Sequence, residues 1–346
     1  MLATARGALL AAVLMLSGCE SMQYYAQAIS GQLGIMRAAR PVETWLADPA
    51  TPQDLRGRLE LARAIREFAS RELALPRNGS YESYADLGRP FVAWNVYAAP
   101  AFSTEAKQEC FPFVGCVSYR GFFVEADARG HADKLRAAGN DVYVGGVPAY
   151  STLGKFNDPI LNTMMTYGDD ELASIIFHEL SHQVVYIADD TSFNEAFAVT
   201  VEEEGLARWL KFRGREEELS KYRKLRVRQA EGVALVSRFR RELTMLYGTP
   251  LDAGTMRARK REVFARLVRE LRALDERLGT ESSLAAALDG KPNNARLASL
   301  ATYYECVPGF ERLLADSSHD LPRFYAAVRV LAKLPREERR ARLCRP

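Results

Sequence analysis

Apolar positions recur at three- and four-residue spacing through most of this chain and gather as β-formers in a single block. Residues from about Ser21 to Arg40 and from about Thr51 to Leu75 carry the helical period, and Pro41 and Pro49 mark the break between them. From Pro90 to Gly146 the composition shifts to aromatic and β-branched clusters at Phe91 to Tyr97, Cys116 to Val124 and Asp141 to Val147, which predict the strands of a small antiparallel sheet. Leu172, Ile175, Ile176, Leu180, Val184 and Tyr186 then form an apolar stripe near helical spacing, with Asp169 and Asp170 as candidate caps at its start. The polar run Ala188 to Ser192 turns the chain into a second helix. From Arg215 to Leu278, Arg, Glu, Leu and Ala predominate, broken near Tyr247-Gly248-Thr249-Pro250, the pattern of a long helical hairpin with solvated charged faces. The expectation is an α+β chain, predominantly α, with a helix pair beside a small sheet. Its segments would be a helical lead-in over 19–80, a core of sheet and paired helices over 81–215, the hairpin over 216–290 and a helical return to the core over 291–346.

A hydrophobic content of 48% supplies a core for one large or two modest domains. Lysine plus arginine (47) nearly balances aspartate plus glutamate (44), which argues against a dedicated nucleic-acid surface. The amino terminus changes the picture more. Arg6 precedes an apolar run from Gly7 to Leu16 that ends in Leu16-Ser17-Gly18-Cys19, the layout of a secretory signal over residues 1–18. That run is shorter than the roughly 20 residues needed to span a bilayer. The placement of Cys19 resembles a bacterial lipobox, which implies a lipidated Cys19 and a body held on the periplasmic side of the envelope. Glu20 stands where the inner-membrane retention signal has aspartate, which points to the outer membrane. Four cysteines remain, an even number suited to an oxidising compartment. Cys110 and Cys116 flank the turn-like Phe-Pro-Phe-Val-Gly and are expected to bridge; Cys306 with Cys344 follows by elimination, one of three connectivities. No Cys-x-x-Cys spacing suggests thiolate ligation of zinc.

The candidate chemistry lies in His178-Glu179-Leu180-Ser181-His182. Two histidines four apart stand one helical turn apart on one face, where both imidazoles can reach a single metal ion. Glu179 would sit beside that metal as a general base for water. One zinc per chain needs a third protein ligand, and Glu195 is the choice, twelve residues beyond His182, at the start of the second helix. Two other readings compete with it. Ser192-x-x-Glu195 is also a capping box, in which the carboxylate would serve the backbone. Glu202, with Glu203 behind it, is favoured if the first helix runs on, since each further turn carries the chain about 5 Å from the metal.

With these residues in view, His178 to His182 followed by Asn194-Glu195-Ala196-Phe197-Ala198 resembles the glutamate zincins, the clan of thermolysin and the large zinc aminopeptidases, although the spacer is shorter. A closer resemblance is to a bacterial lipoprotein family of predicted aminopeptidases. It covers Ser83 to Ser103, Cys110 to Phe123, Gly145 to Leu161, the histidine segment and Asn293 to Tyr304. The resemblance implies a zinc peptidase with His178, His182 and Glu195 on the metal and Glu179 as base. It also implies a zincin-like core in which Tyr143 to Leu153, with Tyr150, binds a peptide along a sheet edge. Zincin peptidases aim a donor at the oxygen that becomes negative. Tyr303 is the candidate here, with Tyr304 beside it and His319 or Tyr150 as more distant choices. Asn293 and Asn294 either bind substrate backbone or cap a helix. The Gly-Ala-Met-Glu-Asn strand that marks amine recognition in the large aminopeptidases has no counterpart, so terminal and internal cleavage both stay open. Beside hydrolysis of envelope peptides, two alternatives remain: an amidase or endopeptidase on cell-wall peptides, and a non-catalytic envelope lipoprotein that keeps the fold.

Overall fold

The computed structural model describes residues 22–111, 115–278, 288 and 292–344. The expected leader over residues 1–18 and Cys19 lie outside the described residues. Helix α1 covers residues 22–38. It is followed by β1 (Arg40–Pro41), α2 (Val42–Ala47), α3 (Gln53–Glu72), β2 (Ser83–Ala85) and β3 (Ala93–Pro100). Next come β4 (Glu109–Phe111), β5 (Gly115–Val117), β6 (Arg120–Phe122), α4 (Glu125–Ala137), β7 (Asn140–Val147) and β8 (Ile160–Leu161). The rest is helical: α5 (Asn162–Met165), α6 (Asp169–Ser181), α7 (Thr191–Phe212), α8 (Glu216–Tyr247), α9 (Ala253–Leu278), α10 (Asn294–Tyr304), α11 (Val307–Asp316), α12 (Leu321–Ala332) and α13 (Arg336–Leu343). The chain is thus α+β and mostly helical, with small sheets.

The main sheet has the antiparallel order β6-β3-β7, with Tyr97 of β3 opposite Tyr143 of β7. Cys116 to Val124 does not form the single strand expected. It bends at Ser118-Tyr119, so β5 pairs with β4 in a separate hairpin and only β6 joins the main sheet. A second sheet, β1-β2-β8, includes one parallel pair, β2 with β8, which the antiparallel expectation lacked. Both expected cysteine pairs are disulfide-bonded: Cys110 with Cys116 across the β4–β5 hairpin, and Cys306 with Cys344 between α11 and the tail.

Helix α7 is the centre of the molecule. Phe193, Ala196, Phe197, Val201, Trp209 and Leu210 are all buried, so it is apolar almost all round, as a helix enclosed by others must be. α6 packs along it, α3 and α10 to α12 close around it, and the sheet meets α10. The hairpin α8–α9 carries its own core of Val236, Phe239, Leu243, Phe264, Leu267 and Leu271. Lys260 ties it to the sheet by pairing with Asp141.

The ends of α6 and α7 differ from expectation in ways that matter for the site. α6 is capped by Gly168, whose N–H donates to the Glu171 carboxylate (2.7 Å). Asp169 and Asp170 fall inside the first turn and pair with Arg58 and Arg215. The helix stops at His182 instead of running to Tyr186: residues 182–184 form a turn and Val185 to Ile187 are outside any helix or strand. α7 is capped by Asp190, not Ser192. One Asp190 oxygen accepts from the Phe193 N–H; the other accepts from Arg339 Nε (2.8 Å) and Nη2 (2.7 Å), both partners being buried. Arg339→Ala leaves a buried carboxylate without its cation and is expected to lower the unfolding free energy by about 3–5 kcal/mol. Chemical denaturation reads this directly, and a value within about 1 kcal/mol of the parent would show that the pair contributes little.

Candidate metal centre

Because α6 ends at His182, the chain reverses at once and begins α7 close to the second histidine. The reversal is pinned by Asn194. Its carboxamide oxygen accepts from the Ile187 N–H (2.8 Å) and its nitrogen donates to the Ile187 carbonyl (2.7 Å). Glu195 follows at the start of the second turn of α7. Its Oε2 lies 3.3 Å from His178 Nε2 and 3.9 Å from His182 Nε2. One potential ligand atom from each of the three residues lies within 4.8 Å of the others. Ligands held at about 2.0–2.2 Å around a tetrahedral zinc stand roughly 3.3–3.6 Å from each other, and the donor set of two imidazoles and a carboxylate suits that ion. The residues therefore fit a metal of this kind.

The rival acids are sorted by which nitrogen they face. Glu202 Oε2 is 3.0 Å from His178 Nδ1, on the opposite side of the ring from Glu195. It is placed to fix the tautomer and orientation of His178, leaving Nε2 free to ligate. Glu203 turns away and pairs with Arg226. His182 has no comparable support, since its Nδ1 has no partner among the described residues. The capping-box reading of Glu195 fails because Asp190 is the cap and the Glu195 carboxylate is buried against the histidines.

Burial dominates the electrostatics. It disfavours the imidazolium of His178, but hydrogen bonds to Glu195 and Glu202 outweigh it and raise that pKa well above the usual histidine value. His182 has no such pairing, and burial brings it down to about 4, so it is neutral and ready to ligate. For Glu195, burial alone would raise the pKa, but the hydrogen bond to His178 and the electrostatic influence of the two imidazoles hold the carboxyl below its ordinary value. Glu179 is pushed up to about 7 by burial, opposed by His178 and reinforced by Glu195, Asp158 and Glu202. That places a proton acceptor and donor near neutral pH, while a bound cation would draw its pKa back down.

Tyrosines border the carboxylates. Tyr303, from α10, has its phenol raised well above the normal value, first by the Glu195 charge, then by Tyr97, burial and Tyr119; it is hydrogen-bonded to Tyr97. Tyr119, in the bend after the disulfide hairpin, packs its ring 5.4 Å from that of Tyr97. Burial and then Glu195 raise its phenol, with Glu179 contributing too. Tyr81 is buried at a left-handed φ of 64°, and its hydroxyl has no partner among the described residues; after burial, Glu179 is the chief cause of its raised pKa. All these phenols stay protonated and can donate. Tyr81, Tyr97 and Tyr119 were missed in the sequence. β3 is buried on both faces, so no alternation marks Tyr97, and nothing local marks the other two.

The other expected substrate residues are used by the protein itself. The Tyr150 hydroxyl donates to Gln32 of α1, and its ring packs edge-on against Phe123. Asn293 caps α10 by accepting from the Arg296 N–H (2.9 Å) and donates to the Val142 carbonyl. Asn294 is wholly buried, accepts from Tyr247 and donates to the Pro100 and Ala101 carbonyls. β7 does form a sheet edge, but it ends at Val147, so residues 148–153 leave the sheet. His319 is exposed and faces Glu204. A cavity of about 1220 Å³ between α6, α7 and α8 touches the cluster only through Glu202 and is not lined by either histidine.

A family model described as "Putative aminopeptidase" matches residues 23–343. No curated protein and no solved structure matches the chain.

Proposed function

The chain belongs to that family, and on this premise we propose that it is a zinc-dependent peptidase of zincin type, acting as an aminopeptidase on envelope peptides. The observation that carries the reading is the convergence of His178, His182 and Glu195 on one point, with Glu179 next to them on the same helix. His178, His182 and Glu195 would hold the ion. When bound, it supplies Lewis acidity, polarising an amide carbonyl and lowering the pKa of water. Glu179 takes the proton of the attacking water and returns it to the departing amine. Tyr303 donates its phenolic hydrogen to the carbonyl oxygen as that oxygen becomes negative, helped by being protonated and preorganised against Tyr97. Glu202 keeps His178 in the ligating tautomer.

The secretory leader and the two disulfides support a periplasmic location, with Cys19 as the attachment point for lipid. The test is metal analysis of the purified chain together with turnover of paired peptides bearing free or acetylated amino termini. About one zinc per chain is expected, with hydrolysis abolished by a chelator, restored by zinc and confined to free termini. Cleavage of both peptides would make the enzyme an endopeptidase. No zinc and no turnover under metal-replete conditions would overturn the reading.

A further inference from the structure

Helix α1 is amphipathic in the reverse of the usual sense: its outward face is apolar. Met22, Tyr25, Ile29, Leu33 and Met36 are 72%, 39%, 60%, 42% and 42% exposed. Their spacing of 3, 4, 4 and 3 residues puts them in one stripe. The inward face is seated firmly. Tyr24 stacks 5.3 Å from Phe111 and meets Phe122 edge-on, and Gln27 accepts from the Phe123 N–H (3.0 Å). Gly31 lies so close to the Phe123 ring that a Cβ there would clash at 2.2 Å. Ile35 is buried in the main core. The helix is therefore held in one rotation, and the stripe is presented to the outside by design of the packing on its other side.

We propose that this stripe lies along a lipid surface, as an interfacial helix about 25 Å long. Two observations select lipid over a second copy of the chain. Met22 follows Cys19 by three residues, so on the lipidation of Cys19 proposed above, on which this step rests, the anchor would deliver the amino-terminal end of the stripe to the bilayer. From Ser21 to Pro41 there is no carboxylate, while Arg37 and Arg40 stand at the far end, which suits anionic headgroups. A two-fold contact between copies would offer these arginines no acidic partner from the same segment. Among the described residues, no helix is long and apolar enough to cross a membrane. The stripe would add a non-covalent hold beside the lipid anchor.

Ile29→Trp and, as a control on the exposed face of α12, Val330→Trp test this in the full acylated chain, with vesicles of phosphatidylethanolamine and phosphatidylglycerol brominated in their acyl chains. Emission added at residue 29 is expected to shift to the blue and to be quenched, while emission added at residue 330 is neither. Unquenched emission from both positions would overturn the proposal. So would a blue shift at residue 29 that follows protein concentration in the absence of vesicles, because the stripe would then be a contact between copies. Neither outcome bears on the metal site, which zinc content and turnover test separately.

Discussion

Glu179→Gln is expected to reduce peptide hydrolysis by about 10²–10⁴-fold while leaving zinc content near one per chain. The substitution is nearly isosteric and keeps a hydrogen-bonding group but can no longer accept the water's proton. At 1.36 kcal/mol per decade, the loss corresponds to roughly 3–5 kcal/mol of transition-state stabilisation. Stability should not fall in parallel. Burial and the neighbouring carboxylates already push the Glu179 carboxyl up to about 7, so a neutral amide suits the environment of the metal-free protein. Metal analysis and kcat/KM measured on the same preparation separate the two effects. Unchanged turnover would remove Glu179 from the mechanism, and loss of zinc along with turnover would move it to a structural role.

Glu195→Ala is expected to strip the metal outright, whereas Glu202→Ala should weaken binding by about 10–100-fold and leave the site occupied at saturating zinc. The difference follows from the two faces of one imidazole: Glu195 lies toward Nε2 of both histidines and Glu202 lies on Nδ1 of His178. Removing Glu195 leaves two ligands where a catalytic site needs three. Removing Glu202 leaves all three ligands and frees only the ring orientation. Zinc titration against a competing chelator gives both affinities. Retention of stoichiometric zinc by Glu195→Ala, with loss in Glu202→Ala, would exchange the two roles.

Local periodicity and spacing were enough for the helical character of the chain, the strand-rich block, the hairpin broken near Gly248 and the pairing of His178 with His182. These depend on residues close in sequence, where the periods of helix and strand act directly. The disulfides were legible because an even cysteine count and a short turn leave few choices. Where α6 ends was not legible. Val184 and Tyr186 continue its apolar spacing, yet the chain turns at His182, because Asn194 clamps Ile187 and the Asp190–Arg339 pair anchors the start of α7. Those contacts join residues 7 and 149 apart, and the longer one is invisible to any sequence window. Glu195 and not Glu202 lies toward Nε2 of the histidines because the early reversal puts the second turn of α7, not its fourth, beside them. The tyrosine wall was decided in the same way: Tyr97, Tyr119 and Tyr303 come from a strand, a bend and a distant helix. For Asn293 and Asn294 the sequence left substrate binding and capping open, and tertiary packing used their polar groups for the fold. What the sequence alone determined about this protein was the inventory of helices and the identity of its chemical groups. Which groups face one another was decided by the tertiary structure, because burial and long-range hydrogen bonds, not spacing, set the directions of side chains that meet from separate elements.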